Sequence, residues 1–355
     1  MDVVTDFLKI TQATESKLSE IDMNNIPFGR AFSDHMLIAH FRDGKWQQAE
    51  ILPYAPLEMS PSNSALNYGQ SVFEGMKAHK SPDGNPVLFR ARQNWLRINY
   101  SAQRMAMPSI PENIFMEGIK ELVKLDRNWI PNAEQGALYL RPLYFATDEY
   151  IGVKASETYT FVVFTCPVGP YYTEPVNLLV SKEYIRAAVG GVGAAKAAGN
   201  YASAMLPDKM AKAKGYHNVL WLDARNLEFI EECGTMNVFF VVDGEILTPR
   251  LTGTILPGIT RNSVIQVLED AGHKVSARQI SIYELQQAHR EGKLEECFGT
   301  GTAATISHVA KIGFAGEDWT LPPVSERKIG PWLYYTLMDY RTAAIDDKFG
   351  WVDEL

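Results

Sequence analysis

Three Asp-Gly pairs, at 43–44, 83–84 and 243–244, each stand between two short apolar runs. Such a pair supplies the backbone angles of a tight turn, so each predicts an antiparallel hairpin. The paired runs are His35–Phe41 with Trp46–Leu52, Gly75–Lys80 with Pro86–Arg90, and Val238–Val242 with Ile246–Thr248. Hairpins in both halves argue against a regular strand–helix alternation around one parallel sheet.

The segments between the hairpins are mixed. Asn94–Met105 carries Trp95, Ile98, Ala102 and Met105 at helical spacing, and Asn113–Leu125 carries Ile114, Ile119 and Val123 likewise. Ala137–Ala146 and Thr158–Val168 read as strands, with Phe161-Val162-Val163-Phe164 wholly buried. Prolines, a glycine and tyrosines interrupt the pattern across Pro167–Pro175. That interruption divides the chain into a smaller first domain, 1–168, a linker, 169–175, and a larger second domain, 176–355. In the second domain, strands are predicted at Val176–Ser181, Val219–Leu222, Leu227–Glu232, Lys274–Ile280 and on the two sides of Glu296–Phe314. Helices are predicted at Tyr201–Lys214, Thr260–Ala271, Ser281–Glu291 and Lys328–Ala344. Residues 1–25 are polar and weakly patterned, an arm or a short helix. The fold class is therefore α+β, mixed in both halves, and 355 residues suit two cores.

Composition removes several functions. A net charge of -8 leaves no basic footprint for nucleic acid or an anionic membrane. No apolar run approaches the roughly 18 residues that span a bilayer, and the start Met1-Asp2-Val3-Val4 lacks the basic and apolar parts of a secretory signal. The ending Val352-Asp353-Glu354-Leu355 resembles an ER-retention tail only by chance. Cys166, Cys233 and Cys297 are too few and too scattered for a disulfide framework or a metal site, and point to a cytoplasmic protein with buried thiols.

One stretch carries chemistry: Gly190-Gly191-Val192-Gly193-Ala194-Ala195-Lys196-Ala197-Ala198-Gly199-Asn200-Tyr201. A single lysine lies among residues too small to crowd anything brought against it. Such an amine can form a Schiff base with a carbonyl, and burial favours its neutral, nucleophilic form. The competing reading is a Gly/Ala-rich connection whose lysine faces water. A lysine that binds pyridoxal phosphate also requires an anion site, a carboxylate on the ring nitrogen and a hydroxyl near the ring oxygen. Leu256-Pro257-Gly258-Ile259-Thr260-Arg261 runs from a turn into a helix, whose N-terminus suits phosphate. Gly299-Thr300-Gly301-Thr302-Ala303-Ala304 is a second small loop bearing hydroxyls, and Arg97 could add a bidentate partner. Strand alternation puts Glu231 and Glu232 on opposite faces, so one points inward and needs a cationic partner such as a protonated ring nitrogen.

Taken in order, the segments resemble the branched-chain amino-acid aminotransferases, within the D-alanine-aminotransferase-like class (fold type IV) of pyridoxal-phosphate enzymes. The resemblance starts at Phe28-Gly29 and Phe32-Ser33-Asp34-His35-Met36 and covers nearly the whole chain. It runs on through Tyr68-Gly69-Gln70-Ser71-Val72-Phe73-Glu74-Gly75-Met76-Lys77, Phe89-Arg90, Asn94-Trp95-Leu96-Arg97 and Tyr139-Leu140-Arg141-Pro142. Cys166-Pro167-Val168-Gly169-Pro170-Tyr171, the lysine stretch, Glu232-Cys233-Gly234-Thr235-Met236-Asn237 and the two loops follow.

The resemblance implies a role for each matching position. Lys196 would be the Schiff-base lysine and the acid/base of the 1,3-proton shift. Tyr201 would bond the ring oxygen and Glu232 the ring nitrogen, with Thr235 in the same network. Arg97, the Ile259 and Thr260 amides and Thr302 would bind phosphate. Tyr68, Arg141 and the Thr302–Ala303 backbone would hold the substrate carboxylate. Phe28, Phe73, Tyr139, Tyr171 and, from a neighbouring subunit of a homodimer, Val153 would line the apolar pocket. The implied reaction is transamination of L-leucine, L-isoleucine and L-valine with 2-oxoglutarate, alternating between pyridoxal and pyridoxamine phosphate. A D-amino-acid aminotransferase or a chorismate-derived lyase would share Lys196 and Glu232 and differ in the pocket; a non-catalytic protein of the same fold would have lost a site group, and none is lost. One departure is visible. Some members carry Cys-x-x-Cys after the Gly-Thr-Ala loop, whereas this chain has Ala304-Thr305-Ile306-Ser307, so no comparable redox switch is expected.

Overall fold

The computed structural model describes residues 3–4, 6–26 and 28–355. Met1, Asp2 and Thr5, part of the start read above, lie outside the described residues, as does Pro27. The chain forms two compact units, Met1–Tyr171 with Ala195–Ala198 and Asp339–Leu355, and Tyr172–Ala194 with Gly199–Met338. The division is not contiguous, whereas the sequence reading kept 176–355 together. Two pairings account for this. Ala197 bridges Val72, and the strand Val352–Glu354 pairs with Pro86–Phe89.

The first unit holds an eleven-stranded sheet. Its order is Val3–Val4, Leu8–Ile10, Ala49–Pro53, His35–Arg42, Tyr159–Val168, Ala137–Ala146, Met76–Lys80, Pro86–Phe89 and Val352–Glu354. Lys45–Trp46 and Ser71–Phe73 pair off this path. The expected hairpins form. Arg42 pairs with Lys45 across Asp43 (φ 54°) and Gly44 (φ 72°), the left-handed pair that such a turn requires. Within the described part of 1–25, read above as an arm or a short helix, Leu18–Glu20 forms one 3-10 turn, but Leu8–Ile10 is a strand that runs parallel to Ala49–Pro53 and buries Leu8 and Ile10.

Two helices pack in this unit close to where they were expected, Ala91–Arg104 and Glu112–Leu125. The second stacks Phe115 on Phe161 of the sheet at 5.8 Å. A Cβ at Gly118 would stand 2.8 Å from Leu37 Cδ2, so glycine lets the helix settle closely on the strand. The first buries Asn94, Arg97 and Ser101 alongside Ile98 and Ala102. A buried polar stripe on an otherwise apolar face must find partners, and it marks the site.

The second unit holds a nine-stranded sheet in the order Ile230–Cys233, Asn218–Leu222, Val176–Val180, Thr305–Phe314, Leu294–Gly301, Asn237–Val242, Glu245–Pro249 and Val275–Arg278, with Glu317–Thr320 beside Thr305–Phe314. Val176–Val180 runs parallel to both neighbours, while Asn237–Val242 and Glu245–Pro249 form the hairpin predicted at Asp243-Gly244. The Asp223 carboxylate accepts four backbone N–H bonds, from residues 225, 226, 228 and 229 at 2.7–3.1 Å. It thereby fixes the turn that delivers Ile230–Cys233, which carries both glutamates. Val176, Leu178, Leu220, Ile230, Val238 and Phe240 belong to the core beneath.

Candidate active site

In the first unit the segment Ala195–Ala198 is pinned by its backbone. The Phe73 N–H donates to the Lys196 carbonyl at 3.1 Å, and the Lys196 N–H donates to Ser101 Oγ at 2.9 Å. Ser101 Oγ donates in turn to the Arg97 carbonyl at 2.9 Å. The helix Ala91–Arg104 and the strand Ser71–Phe73 thus fix the lysine's main chain, and its half-buried side chain places Nζ 5.0 Å from the centre of the Phe73 ring.

Glu74, which the sequence reading left without a role, is fully buried beside it. Its Oε1 accepts from Arg97 Nε at 2.7 Å, and its Oε2 from Arg97 Nη2 at 2.7 Å and Asn94 Nδ2 at 2.8 Å. Burial alone would push this carboxyl up. The charge and hydrogen bonds of Arg97, the charge of Lys196 and the Asn94 amide outweigh it and hold Glu74 below the ordinary carboxylate range. Arg97, expected to serve phosphate, therefore has a protein carboxylate fixing one edge of its guanidinium.

Arg141 is the hub of an aromatic group in the same unit. Its Nη2 donates to Tyr139 Oη at 3.0 Å, and its guanidinium lies 4.8 Å from the Phe73 ring centre and 5.3 Å from that of Tyr139. Phe28 meets Tyr171 edge-on at 4.8 Å and Tyr139 at 6.2 Å. The structure thus brings together Phe28, Phe73, Tyr139, Arg141 and Tyr171, all expected from the sequence to serve the substrate. The Arg141 Nε is buried without a hydrogen-bond partner. Gly75 makes room for the phenol, since a Cβ there would stand 2.1 Å from Tyr139 Oη. Tyr68 lies exposed at the end of the short helix Ser64–Tyr68, and Val153 is 90% exposed on a loop with Tyr150 and Ile151.

In the second unit both Glu231 and Glu232 are buried, which corrects the expectation that only one points inward. Glu232 Oε1 accepts from Asn237 Nδ2 and from the Leu256 N–H, each at 3.1 Å, and Oε2 contacts Arg186 Nε at 2.5 Å. Glu231 Oε1 accepts the Thr254 hydroxyl. Burial pushes Glu231 up, and the Thr254 bond and the Arg186 charge offset only part of that. Asn237 also donates to the Leu256 carbonyl at 2.9 Å. A Cβ on Gly258 would stand 1.9 Å from Asn237 Oδ1, so only glycine fits the turn before the helix Ile259–Asp270. Ile259 and Thr260 open that helix, where backbone N–H groups and the dipole favour an anion. Tyr201 is half-buried in the first turn of the helix Ala198–Ala213, and Thr235 is exposed in the turn after Cys233. Thr302 and Ala303 form the turn between Leu294–Gly301 and Thr305–Phe314. Asn237 and Arg186 escaped the sequence reading, although Asn237 closes a motif already noted there.

Among the described residues, no cluster of His, Cys, Asp and Glu could hold a metal ion. No helix among them is long and apolar enough to cross a membrane. The family described as amino-transferase class IV matches residues 71–312, from the strand that docks the lysine segment to the second sheet. The chain belongs to that family.

Within it, branched-chain-amino-acid aminotransferase 2 of Bacillus subtilis (strain 168) is 45% identical over 97% of this chain and 96% of its own. The solved structure of the branched-chain amino acid aminotransferase from Escherichia coli superposes with a TM-score of 0.72 at 28% identity, covering 90% of this chain and 98% of that one. The branched-chain amino acid aminotransferase from Thermobaculum terrenum, solved in its PLP-bound holo-form, shares the fold with a TM-score of 0.74 at 22% identity, covering 90% of this chain and 98% of that one. The chain is thus a branched-chain aminotransferase of fold type IV, as the order of its motifs implied.

Proposed function

We propose that this aminotransferase moves the amino group of L-leucine, L-isoleucine and L-valine to 2-oxoglutarate, using pyridoxal 5'-phosphate, as a cytoplasmic homodimer. The observation that carries the reading is the aromatic group around Arg141, an apolar wall with a buried guanidinium N–H that lacks a partner. Aliphatic substrates gain about 0.8 kcal/mol per methylene from such a wall. A dicarboxylate gains from the guanidinium instead, so one pocket serves both substrates.

The residues fit pyridoxal phosphate. The chain supplies an amine among small side chains, a buried carboxylate, a phenol, and a turn that any side chain at Gly258 would fill. Lys196 would hold the carbonyl carbon, Glu232 the ring nitrogen, Tyr201 the ring oxygen, with Thr235 supporting them. Arg97, Ile259, Thr260 and Thr302 would hold the phosphate. When bound, the cofactor supplies an electron sink for the carbon that loses its proton. Lys196 Nζ is the base that takes the substrate Cα proton and the acid that returns it. Tyr68, Arg141 and the Thr302–Ala303 backbone orient the substrate carboxylate. Phe28, Phe73, Tyr139 and Tyr171 exclude water from the side-chain pocket. The exposure of Val153, beside Tyr150 and Ile151, supports a loop that completes the pocket of a second copy.

The test is the visible spectrum of the purified protein. A yellow band that fades with L-leucine, returns with 2-oxoglutarate and is missing from Lys196→Ala supports the reading. A band that responds only to D-alanine overturns the substrate assignment, and a protein that takes up no pyridoxal phosphate overturns the reading entirely.

A further inference from the structure

Arg186 lies ten residues before Lys196, outside every motif the sequence reading used. Its side chain is 9% exposed and that of Glu232 4%. Its Nη2 donates to the Gly193 carbonyl at 2.9 Å and also to the Thr254 carbonyl. Its Nε meets Glu232 Oε2 at 2.5 Å, an ionic contact in which the N–H is not aligned as a hydrogen bond. One guanidinium therefore joins the loop that leads into the lysine segment, the chain before the Pro257-Gly258 turn, and the glutamate. Gly193 is confined by the same arrangement, since a Cβ there would stand within 2.4 Å of Ala187 Cβ.

We infer that Arg186 is a positioning residue that keeps the Glu232 carboxylate charged and fixed, and ties it to the loop that carries the chain to Lys196. This rests on the reading above, in which Glu232 serves the cofactor's ring nitrogen. The physical need is plain. Glu231 and Glu232 are both buried and poorly solvated, and Asp223 adds negative charge near Glu231. Arg186 is a fixed cation acting on both. A neutral Glu232 would be a weaker partner for a cationic ring. A fixed positive charge at that end of the ring also lowers the proton affinity of groups conjugated to it. Arginine suits the position because its rigid planar fork holds Nε toward the carboxylate and Nη2 toward two carbonyls in one fixed geometry, whereas a lysine is a compact charge on a flexible stem.

The experiment compares wild type with Arg186→Met, Arg186→Lys and Glu232→Gln, and the double variant Arg186→Met/Glu232→Gln. Pyridoxal phosphate affinity is measured by fluorescence quenching, and the pH midpoint of the bound cofactor's visible band by absorbance. Arg186→Met should weaken cofactor binding tenfold or more and move the midpoint upward, because a positive charge has left. Arg186→Lys should shift both in the same direction by less. Arg186→Met should add little to the affinity loss already caused by Glu232→Gln. Should Arg186→Met fail to fold, Arg186→Lys is judged against wild type by the same two readouts. An unchanged affinity and midpoint in the folded variants overturns the inference while wild type still takes up cofactor. So does an Arg186→Met loss that adds in full to that of Glu232→Gln. Wild type that binds no pyridoxal phosphate overturns the functional reading as well.

Discussion

Glu74 grips Arg97 through both carboxylate oxygens, at 2.7 Å each, inside the core of the first unit. Glu74 directly follows the strand Ser71–Phe73, and Arg97 lies on the helix Ala91–Arg104. Breaking one side of such a pair leaves the other charge without its buried counter-ion. Glu74→Gln should therefore cost roughly 3–5 kcal/mol of stability. The measurement is the urea midpoint of both proteins, and a change under about 1 kcal/mol would refute the assignment.

The same carboxylate predicts a pH dependence. Its folded value lies below the ordinary 4.5, so the unfolded chain binds more protons as the pH falls through that region. The stability it contributes is complete above about pH 4.5 and is lost as the pH drops through the folded value. Wild type should lose stability on acidification more steeply than Glu74→Gln. Parallel curves would show that Glu74 is not responsible.

Gly75→Ala forces the Tyr139 phenol from its place beside Arg141, because the new Cβ would lie 2.1 Å from Oη. Relieving that contact takes a shift of about 1 Å, and a misplacement of that size costs about a hundredfold in rate. The expected result is a loss of that order in kcat/KM for L-leucine, with the melting temperature lowered only modestly. Retained activity would mean that the phenol has no part in holding substrate.

Arg141→Gln separates the two substrates. It removes the cation while keeping a donor, so the KM for 2-oxoglutarate should rise about ten- to a hundredfold, and that for L-leucine should rise less. Equal effects on both would assign Arg141 to the shared α-carboxylate alone.

All three thiols are buried. Burial pushes Cys166 up to about 11, despite the nearby Arg141 charge, and raises Cys233 and Cys297 as well. At about pH 8 the native protein should react with a thiol reagent about a hundredfold more slowly than a free cysteine, and show all its thiols only after denaturation. A fast-reacting thiol in the folded protein would contradict this.

Local signals in the sequence located most elements. At Asp43-Gly44 and Asp243-Gly244 two adjacent residues with positive φ dictate the pairing on either side, while at Asp83-Gly84 only the glycine has positive φ and the turn is longer. The helices at Asn94 and Asn113 follow from the spacing of their apolar residues. Contacts between distant positions were not legible. Leu8–Ile10 is a strand only because Ala49–Pro53 offers an edge. Glu231 can be buried because Thr254, 23 residues away, receives it. At the site, Lys196 stood out by its chemistry among alanines, whereas Arg141 was legible only through the resemblance of its segment, Tyr139-Leu140-Arg141-Pro142. Glu74, Asn237 and Arg186 did not stand out, because each acts by holding another side chain, and their partners are set by the fold.

The strand Val352–Glu354 forms the outer edge of the first sheet, although the long segment Gly199–Met338 of the second unit precedes it in the chain. A ribosome making this protein from its N-terminus must therefore release the whole second unit before the first sheet can gain its last strand. Until then the backbone of Pro86–Phe89 lacks its final hydrogen-bonding neighbour, and the nascent chain presents an open strand to anything that can pair with it. The lysine-bearing segment emerges midway through this interval, so its docking on Phe73 and Ser101 can precede closure of the sheet that supports it.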